Sequence, residues 1–370
     1  MWEVKTLGEV LEVQNGFAFN SKEFSDTEGK PLIRIRDLKN GKQTKVKYTG
    51  EYDERFVVTS GDLLIGMDGE FRCYQWKGDD ALLNQRVCRL QGFSKEVFAN
   101  FLFYGLNKYL EDIEAVTAFT TVKHISSKQI KEIKFPLPPL TEQKRIVAVL
   151  DDAFAGIDQA IENTEAARTA AQEVFDSNLN AIFTQRGDGW VEKRLGDCFR
   201  LKSGDNLTAK NMIEGDYPVY GGNGLAGYHN LPNLSGDNVV IGRVGALCGN
   251  VRHVTEEIWL TDNAFKIVDK KFSFDNQFLT YLLNYKNLRS LARQAAQPVI
   301  SNNSLASLVL EFPLDIKTQT QIVQKLDSLA SQRDTLVANY TQKLAHLQEL
   351  KQSLLQQAFS GNLTGKKEAA

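Results

Sequence analysis

Trp2–Gly16 reads WEVKTLGEVLEVQNG and Trp190–Gly204 reads WVEKRLGDCFRLKSG. The tryptophan, the Leu-Gly pair and the closing glycine stand at one constant offset. Moving outward, GDLLIG at Gly61–Gly66 answers GDNVVIG at Gly236–Gly242 with one residue inserted, and FLFY at Phe101–Tyr104 answers FLTY at Phe278–Tyr281. Phe135-Pro-Leu137 answers Phe312-Pro-Leu314. Gln143, Ile146, Val147, Leu150 and Asp151 then align with Gln319, Ile322, Val323, Leu326 and Asp327, and Ala181-Ile-Phe183 lies over Gln357-Ala-Phe359. Landmarks repeated in one order mean that a single unit is written twice. The stretches between them differ, above all 17–60 against 205–235, as expected of one scaffold carrying two different surfaces.

Each unit opens with short β-type runs, among them Phe56–Thr59, Leu63–Ile65, Val239–Ile241 and Ile258–Leu260, bounded by Gly, Asp and Asn. Helical spacing of apolar residues follows over Lys95–Leu110 and Gln277–Leu291. Pro136 and the pair Pro138-Pro139 break the first domain from the next element, and Thr141 begins a stretch without proline to about Gln185. Ile146, Leu150, Ala153, Ile157, Ala160 and Thr164 keep a 4,3 alternation. Ile322, Leu326, Leu329, Leu336, Tyr340, Leu347, Leu350 and Leu354 hold equivalent heptad positions. About 45 residues at 1.5 Å each make a rod of roughly 65 Å, and two such rods with a heptad face predict an antiparallel coiled coil. The expected fold is α+β: two mixed α/β domains at 1–138 and 189–315, separated by long helices at 139–188 and 316–370, in a pseudo-twofold repeat.

The net charge of −2 conceals an uneven distribution. Residues 139–188 hold 4 basic and 9 acidic side chains, so the acid excess lies on the first rod and the domains are neutral to slightly basic. DNA contact depends on local Lys and Arg clusters, so charge permits DNA binding without demanding it. The four cysteines are widely spaced, with no Cys-x-x-Cys, and the four histidines have no metal-ligand spacing, so neither a disulfide framework nor a zinc site is suggested. No apolar run is long enough for a membrane, and Met1–Leu7 lacks the build of a signal peptide, so a cytoplasmic protein with reduced thiols is expected. Gly222–Gly227 spells G-x-G-x-x-G, but Pro232 would end any helix early, so a glycine-rich recognition loop is preferred over a dinucleotide site. P-loop and N-P-P-Y-type sequences are both absent, which argues against catalysis by this chain alone.

Lys30–Lys47, KPLIRIRDLKNGKQTKVK, is the densest basic cluster, with seven cations against Asp37. Arg34 and Arg36 alternate with Ile33 and Ile35, as in a strand with one basic face. Lys39, Lys42, Lys45 and Lys47 complete the set. Arginine and lysine bond guanine or neutralise phosphates; the other reading is an edge strand guarded by charge. Lys123 and His124 form a second candidate loop in the first unit. In the second unit the candidates are Gln297, Asn302 and Asn303, whose amides suit adenine, together with Arg243 near Gly242 and Gly245 and Asn223 in the glycine-rich loop.

The whole chain resembles the specificity subunits of type I restriction–modification enzymes, the HsdS family. The resemblance is carried best by FPLPPLTEQKRIVAVLD at Phe135–Asp151, YPVYGGNGLAGYHN at Tyr217–Asn230 and LLQQAFSGNLTG at Leu354–Gly365. It implies a non-catalytic chain in which each of two domains reads one half of a split, asymmetric site in double-stranded DNA. It also implies helices that dock two modification subunits using S-adenosylmethionine for adenine methylation, and restriction subunits that join with ATP and Mg. No cofactor is expected on this chain itself. The second unit departs from the pattern: FPLDIKTQTQ at Phe312–Gln321 lacks two of the prolines and the glutamate of FPLPPLTEQ. Two other classes remain, a stand-alone methyltransferase or nuclease and a coiled-coil adaptor that does not read DNA. The missing catalytic motifs weigh against the first and the divergent loops against the second.

Overall fold

A computed structural model describes residues 2–117, 123–293 and 298–363. The chain divides into two compact units, one made of Met1–Asn163 with Leu344–Ala370 and the other of Thr164–Lys343.

The first unit runs β1 (Glu3–Thr6), α1 (Leu7–Val10), β2 (Glu12–Asn15), β3 (Phe24–Ser25), β4 (Lys30–Ile33), α2 (Ile35–Leu38), β5 (Lys47–Tyr48), β6 (Val57–Val58), β7 (Leu63–Gly66) and β8 (Cys73–Gln75). It continues with β9 (Ala81–Leu83), β10 (Val87–Gln91), α3 (Ala99–Thr117), α4 (Ser127–Lys131), β11 (Lys134–Leu137) and the long helix α5 (Leu140–Thr184). A central antiparallel sheet has the order β2-β10-β7-β8, and β1 pairs with β11 beside it. A second sheet, β3-β5-β4-β9-β6, contains the parallel pair β4–β9. The core lies between the central sheet and α3, with Phe71, Phe101, Leu102, Leu106 and Phe135 fully buried.

The second unit runs β12 (Trp190–Arg194), α6 (Leu195–Cys198), β13 (Arg200–Ser203), β14 (Tyr217–Gly221), β15 (Gly224–His229), β16 (Asn238–Gly242), β17 (Val251–Val254), β18 (Trp259–Leu260) and β19 (Ala264–Val268). Then come α7 (Asn276–Tyr285), α8 (Asn302–Ala306), β20 (Val309–Pro313) and the second long helix α9 (Ile316–Phe359). Its central sheet, β13-β19-β16-β17, and its side pair, β12–β20, repeat the order of the first unit. The accessory sheet does not: it has three strands, β15-β14-β18, and retains the parallel pair β14–β18.

Buried polar groups repeat as closely as the strands. Gln143 and Gln319 are fully buried. The Gln143 amide accepts from Phe98 N–H (2.9 Å) and donates to Glu96 and Pro138 carbonyls (2.7 and 2.8 Å). Gln319 accepts from Asp275 N–H (2.9 Å) and donates to Ser273 and Pro313 carbonyls (3.2 and 2.8 Å). Each amide thus ties the head of a long helix to the start of the domain helix. Asn107 brackets the backbone of Cys73 on edge strand β8, and Asn284 brackets Val251 on β17. Tyr104 donates to Asp151, and Tyr281 to Asp327 at 2.7 Å.

The long helices span 45 and 44 residues. In the first unit Ile146, Leu150 and Phe154 share a core with Leu354, Ala358 and Phe359, and Lys351 bonds Asp158. In the second, Leu179 and Phe183 pack with Ile322, Val323 and Leu326, while Arg333 lies 4.3 Å over Phe175. Rising numbers on one helix meet falling numbers on the other, so the pair is antiparallel within each unit.

Three local expectations are corrected. The first domain helix starts at Ala99 and reaches Thr117, instead of covering 95–110. The second ends at Tyr285, because Asn287 turns left-handed (φ 47°) before a short 3-10 turn at Leu288–Leu291. The basic strand ends at Ile33: Asp37 accepts the Arg34 backbone N–H at 3.0 Å, and residues 35–38 form one helical turn.

Candidate nucleic-acid interface

At one end of each central sheet, loops from four places are laced by main-chain bonds. In the first unit Gly16 N–H donates to Val87 O (3.0 Å), Met67 N–H to Arg86 O (3.0 Å), Gly69 N–H to Lys123 O (3.1 Å) and Ile125 N–H to Met67 O (2.9 Å). The second unit repeats them: Gly204 to Ala264 O (3.2 Å), Arg243 to Asn263 O (2.9 Å), Gly245 to Pro298 O (3.1 Å) and Ile300 to Arg243 O (2.9 Å). The closing glycines of the sequence repeat are required here. A Cβ on Gly16 would stand 2.1 Å from Asn84 O, and one on Gly204 2.0 Å from Leu260 O. Both units therefore present the same backbone platform with different side chains on it.

On the first platform Asp68 is the hub. Its carboxylate takes His124 Nδ1 at 2.6 Å and Arg86 Nη1 at 3.3 Å. Lys123 reaches Glu114 at 3.3 Å, and Glu114 also meets Arg72 and the Phe71 N–H. Burial works to raise the Glu114 pKa, but the Phe71 N–H, Lys123 and Arg72 together hold it below the ordinary carboxylate range.

The Lys30–Lys47 cluster divides. Arg36 stands exposed on α2, whose Ile35 and Leu38 flank Gly66 at the end of β7. Arg34 is turned back on Asp37 at 3.5 Å, with its Nε buried and unbonded. Lys39, Lys42 and Lys45 are exposed on the following loop, which is tied to the Trp76–Gly78 segment through the Lys77 N–H to Gly41 O bond (2.7 Å). Lys47 lies on β5 and donates to Thr27 O at 2.9 Å.

On the second platform Asn223 sits at the turn between β14 and β15 and accepts from Leu247 N–H at 2.9 Å. Its neighbour Gly222 approaches Val244 O so closely that a Cβ would be 1.9 Å away, which explains the glycines without a dinucleotide. Arg243 is folded onto its own domain, 5.2 Å over Phe265, with Nη1 reaching Ser203 Oγ (3.2 Å) and Asp262 O (3.3 Å) and Nε buried without a partner. Asn302 donates to Leu201 O at 3.2 Å, and Asn303 is exposed beside it on α8. Gln297 lies outside the described residues.

The platforms also expose Arg86 and Asn263, which inspection of the sequence passed over. Extending the landmark alignment to Leu83-Asn-Gln-Arg-Val87 over Leu260-Thr-Asp-Asn-Ala264 would have paired them. Among the described residues no cluster of three or more His, Cys, Asp or Glu is placed to hold a metal, and no helix is long and apolar enough to cross a membrane. The four cysteines are buried and unpaired. Hydrogen-bond donors, amides and cations are the chemistry on offer, and these recognise a partner's polar edges and charge.

The family described as type I restriction modification DNA specificity domain matches residues 1–166 and 187–346. The EcoBI type I restriction enzyme specificity subunit of Escherichia coli is 27% identical, over 98% of this chain and 86% of its own. The MjaVIII specificity subunit of Methanocaldococcus jannaschii is 23% identical, over 98% and 93%. Among solved structures, a chain from a study of complex assembly and conformational transition of the type I R-M system superposes with a TM-score of 0.76 at 19% identity, covering 98% of both chains. The HsdS subunit from Thermoanaerobacter tengcongensis gives 0.57 at 20%, covering 98% and 97%.

Proposed function

The chain belongs to the type I restriction–modification DNA specificity family, a premise from which we propose that its two platforms read the two unlike halves of one split DNA site. Specificity subunits are the non-catalytic, sequence-recognising part of their systems, with no cofactor of their own. The observation that carries the finer reading is the repeat itself: identical main-chain lacing under different side chains. One scaffold with two surfaces suits an asymmetric target, whereas two identical readers would select a palindrome.

In this reading 1–138 and 189–315 are the recognition domains and 139–188 and 316–370 the spacer helices. Arg36, exposed on α2, and Lys39, Lys42 and Lys45, exposed on the loop after it, neutralise phosphates. Lys123, His124, Asn223 and Asn303 stand at base edges or their flanks. Arg34, Lys47, Arg243 and Asn302 hold the loops that carry them. Two modification subunits dock on the helices, where Ala167, Ala171, Val174, Leu336 and Tyr340 line a groove of about 290 Å³. Those partners, in a reducing cytoplasm, use S-adenosylmethionine for adenine methylation, and restriction subunits add ATP- and Mg-dependent cleavage.

Methylated adenines mapped in DNA treated with this chain and its modification subunits test the reading. A split, asymmetric motif is expected. A palindrome, or methylation without sequence preference, would overturn it.

A further inference from the structure

Resting on that reading, we infer that the residue preceding β10 and its counterpart preceding β19 are base-reading positions, with Arg86 selecting guanine and Asn263 adenine. The two positions are equivalent by main-chain bonding. The carbonyl of each accepts from the residue just after the central strand, Met67 N–H at 3.0 Å and Arg243 N–H at 2.9 Å. Each lies in a turn closed by a main-chain bond, from Val87 N–H to Asn84 O (2.9 Å) and from Ala264 N–H to Thr261 O (3.1 Å). Gly16 and Gly204 pack against the carbonyls of those same turns, so the backbone there is fixed before any ligand arrives.

Both side chains are exposed on that fixed backbone, Arg86 at 58%. Asp68 takes one guanidinium nitrogen of Arg86 at 3.3 Å, and His124 holds Asp68 from the other side at 2.6 Å. A braced guanidinium loses little freedom when it meets a base, and its remaining donors form the fork that matches guanine O6 and N7. Asn263 has the paired donor and acceptor that match adenine N6 and N7. Its backbone N–H is held by Thr261 Oγ1 at 3.4 Å, while its side-chain amide, among the described residues, makes a long contact with Asp262, also 3.4 Å. Among the described residues the Arg86 side chain meets Asp68, a pairing that lysine would satisfy as well, so the fold calls for a cation there and not for a guanidinium.

The experiment compares wild type with Arg86→Ala, Arg86→Lys and Asn263→Ala, each assembled with the modification subunits and sequenced for methylated sites in a randomised DNA pool. Wild type yields a split motif if the functional reading holds. Arg86→Ala then relaxes one guanine position in one half by about 5- to 150-fold and leaves the other half unchanged. Asn263→Ala does the same to one adenine position in the opposite half. Arg86→Lys keeps a cation that can still bond guanine but not the fork, so it relaxes the same guanine less than alanine does; unchanged discrimination at every guanine in the alanine variant, with activity restored by lysine, would reduce Arg86 to a phosphate contact and overturn the inference. So would a uniform fall in activity with every base preference intact in both alanine variants. A wild type without a split motif would instead overturn the functional reading beneath it.

Discussion

Gln143 and Gln319 show how much one side chain can hold. Leucine at Gln143 keeps the volume but strands the Phe98 N–H and two carbonyls, so Gln143→Leu should cost about 1–3 kcal/mol for each group left unpaired, and Gln319→Leu a similar amount from its matching network. Urea midpoints of the two variants would measure this; a loss in one but not the other would mean that the networks are not equivalent. Glu114 gives a pH signature. Its folded pKa is depressed, so its contribution is present above the unfolded carboxylate value and disappears as pH falls through the acid range. Glu114→Gln should flatten the fall in stability as pH drops below the ordinary carboxylate value of 4.5 and leave the neutral range little changed, and an unchanged acid slope would discount the Phe71–Lys123–Arg72 cluster. The cysteines are uniform in the other direction: burial pushes Cys88 up to about 12 and Cys198 to about 11. Native protein should therefore resist thiol reagents and react only on unfolding. At this scale the sequence was least informative. Cations are conspicuous in Lys30–Lys47, yet Arg34 spends its charge on Asp37, and Arg86 carries no local mark. Whether a side chain reaches outward depends on partners distant in sequence, such as Asp68 for Arg86, and no spacing rule records them.

Elements were far more legible. The 4,3 apolar alternation, proline before and none within, placed α5 at Leu140–Thr184 against an expected start at Thr141 and end near Gln185. Heptad logic found the antiparallel pairing but overstated the seam: Leu336 and Leu350 remain 42% and 46% exposed. Short strands such as β3 and β5 escaped notice because two-residue pairings have no period to read. Ile-Arg-Ile-Arg alternates as a strand does over Ile33–Arg36, but the local cap from Asp37 to the Arg34 N–H, three residues apart, turns Ile35–Leu38 into a helical turn. Gly156, exposed inside α5 with open space around a built Cβ, gives a clean test. Gly156→Ala should stabilise the chain by about 0.5–1 kcal/mol, read from the thermal or urea transition. A loss would point to a packing role for the missing side chain. Four residues inserted into α5 should lengthen the unread stretch between the half-sites and leave both half-sites unchanged, as a methylation map would record. Altered half-sites would refute helix length as the determinant of spacing.

At the level of the whole molecule the duplication was the strongest signal in the sequence, and the strand orders β2-β10-β7-β8 and β13-β19-β16-β17 account for it. Landmarks were legible because they serve the shared frame: Gly16 and Gly204 meet a carbonyl, Tyr104 and Tyr281 meet a helix aspartate. The accessory sheets were not legible, since five strands in one unit and three in the other share just the parallel pair β4–β9 and β14–β18, too short to show a period. The division of the chain adds a test. Leu354, Ala358 and Phe359 belong to the core of the first unit, so truncation after Lys343 should expose Phe101 and Phe135. Limited proteolysis should then degrade 2–138 while sparing much of 187–343; equal resistance in both parts would contradict the assignment.

That first unit is discontinuous, and its discontinuity sets a timetable. Its N-terminal part leaves the ribosome early, yet the aromatic side chain that packs on Phe101 and Phe135 comes from Phe359. At roughly 5–20 residues per second, about 10–40 s pass between synthesis of Asn163 and of Phe359. During that interval the second unit, continuous from Thr164 to Lys343, has every residue it needs to fold first. The half of the protein translated first is thus the last to complete its core, which waits for Phe359.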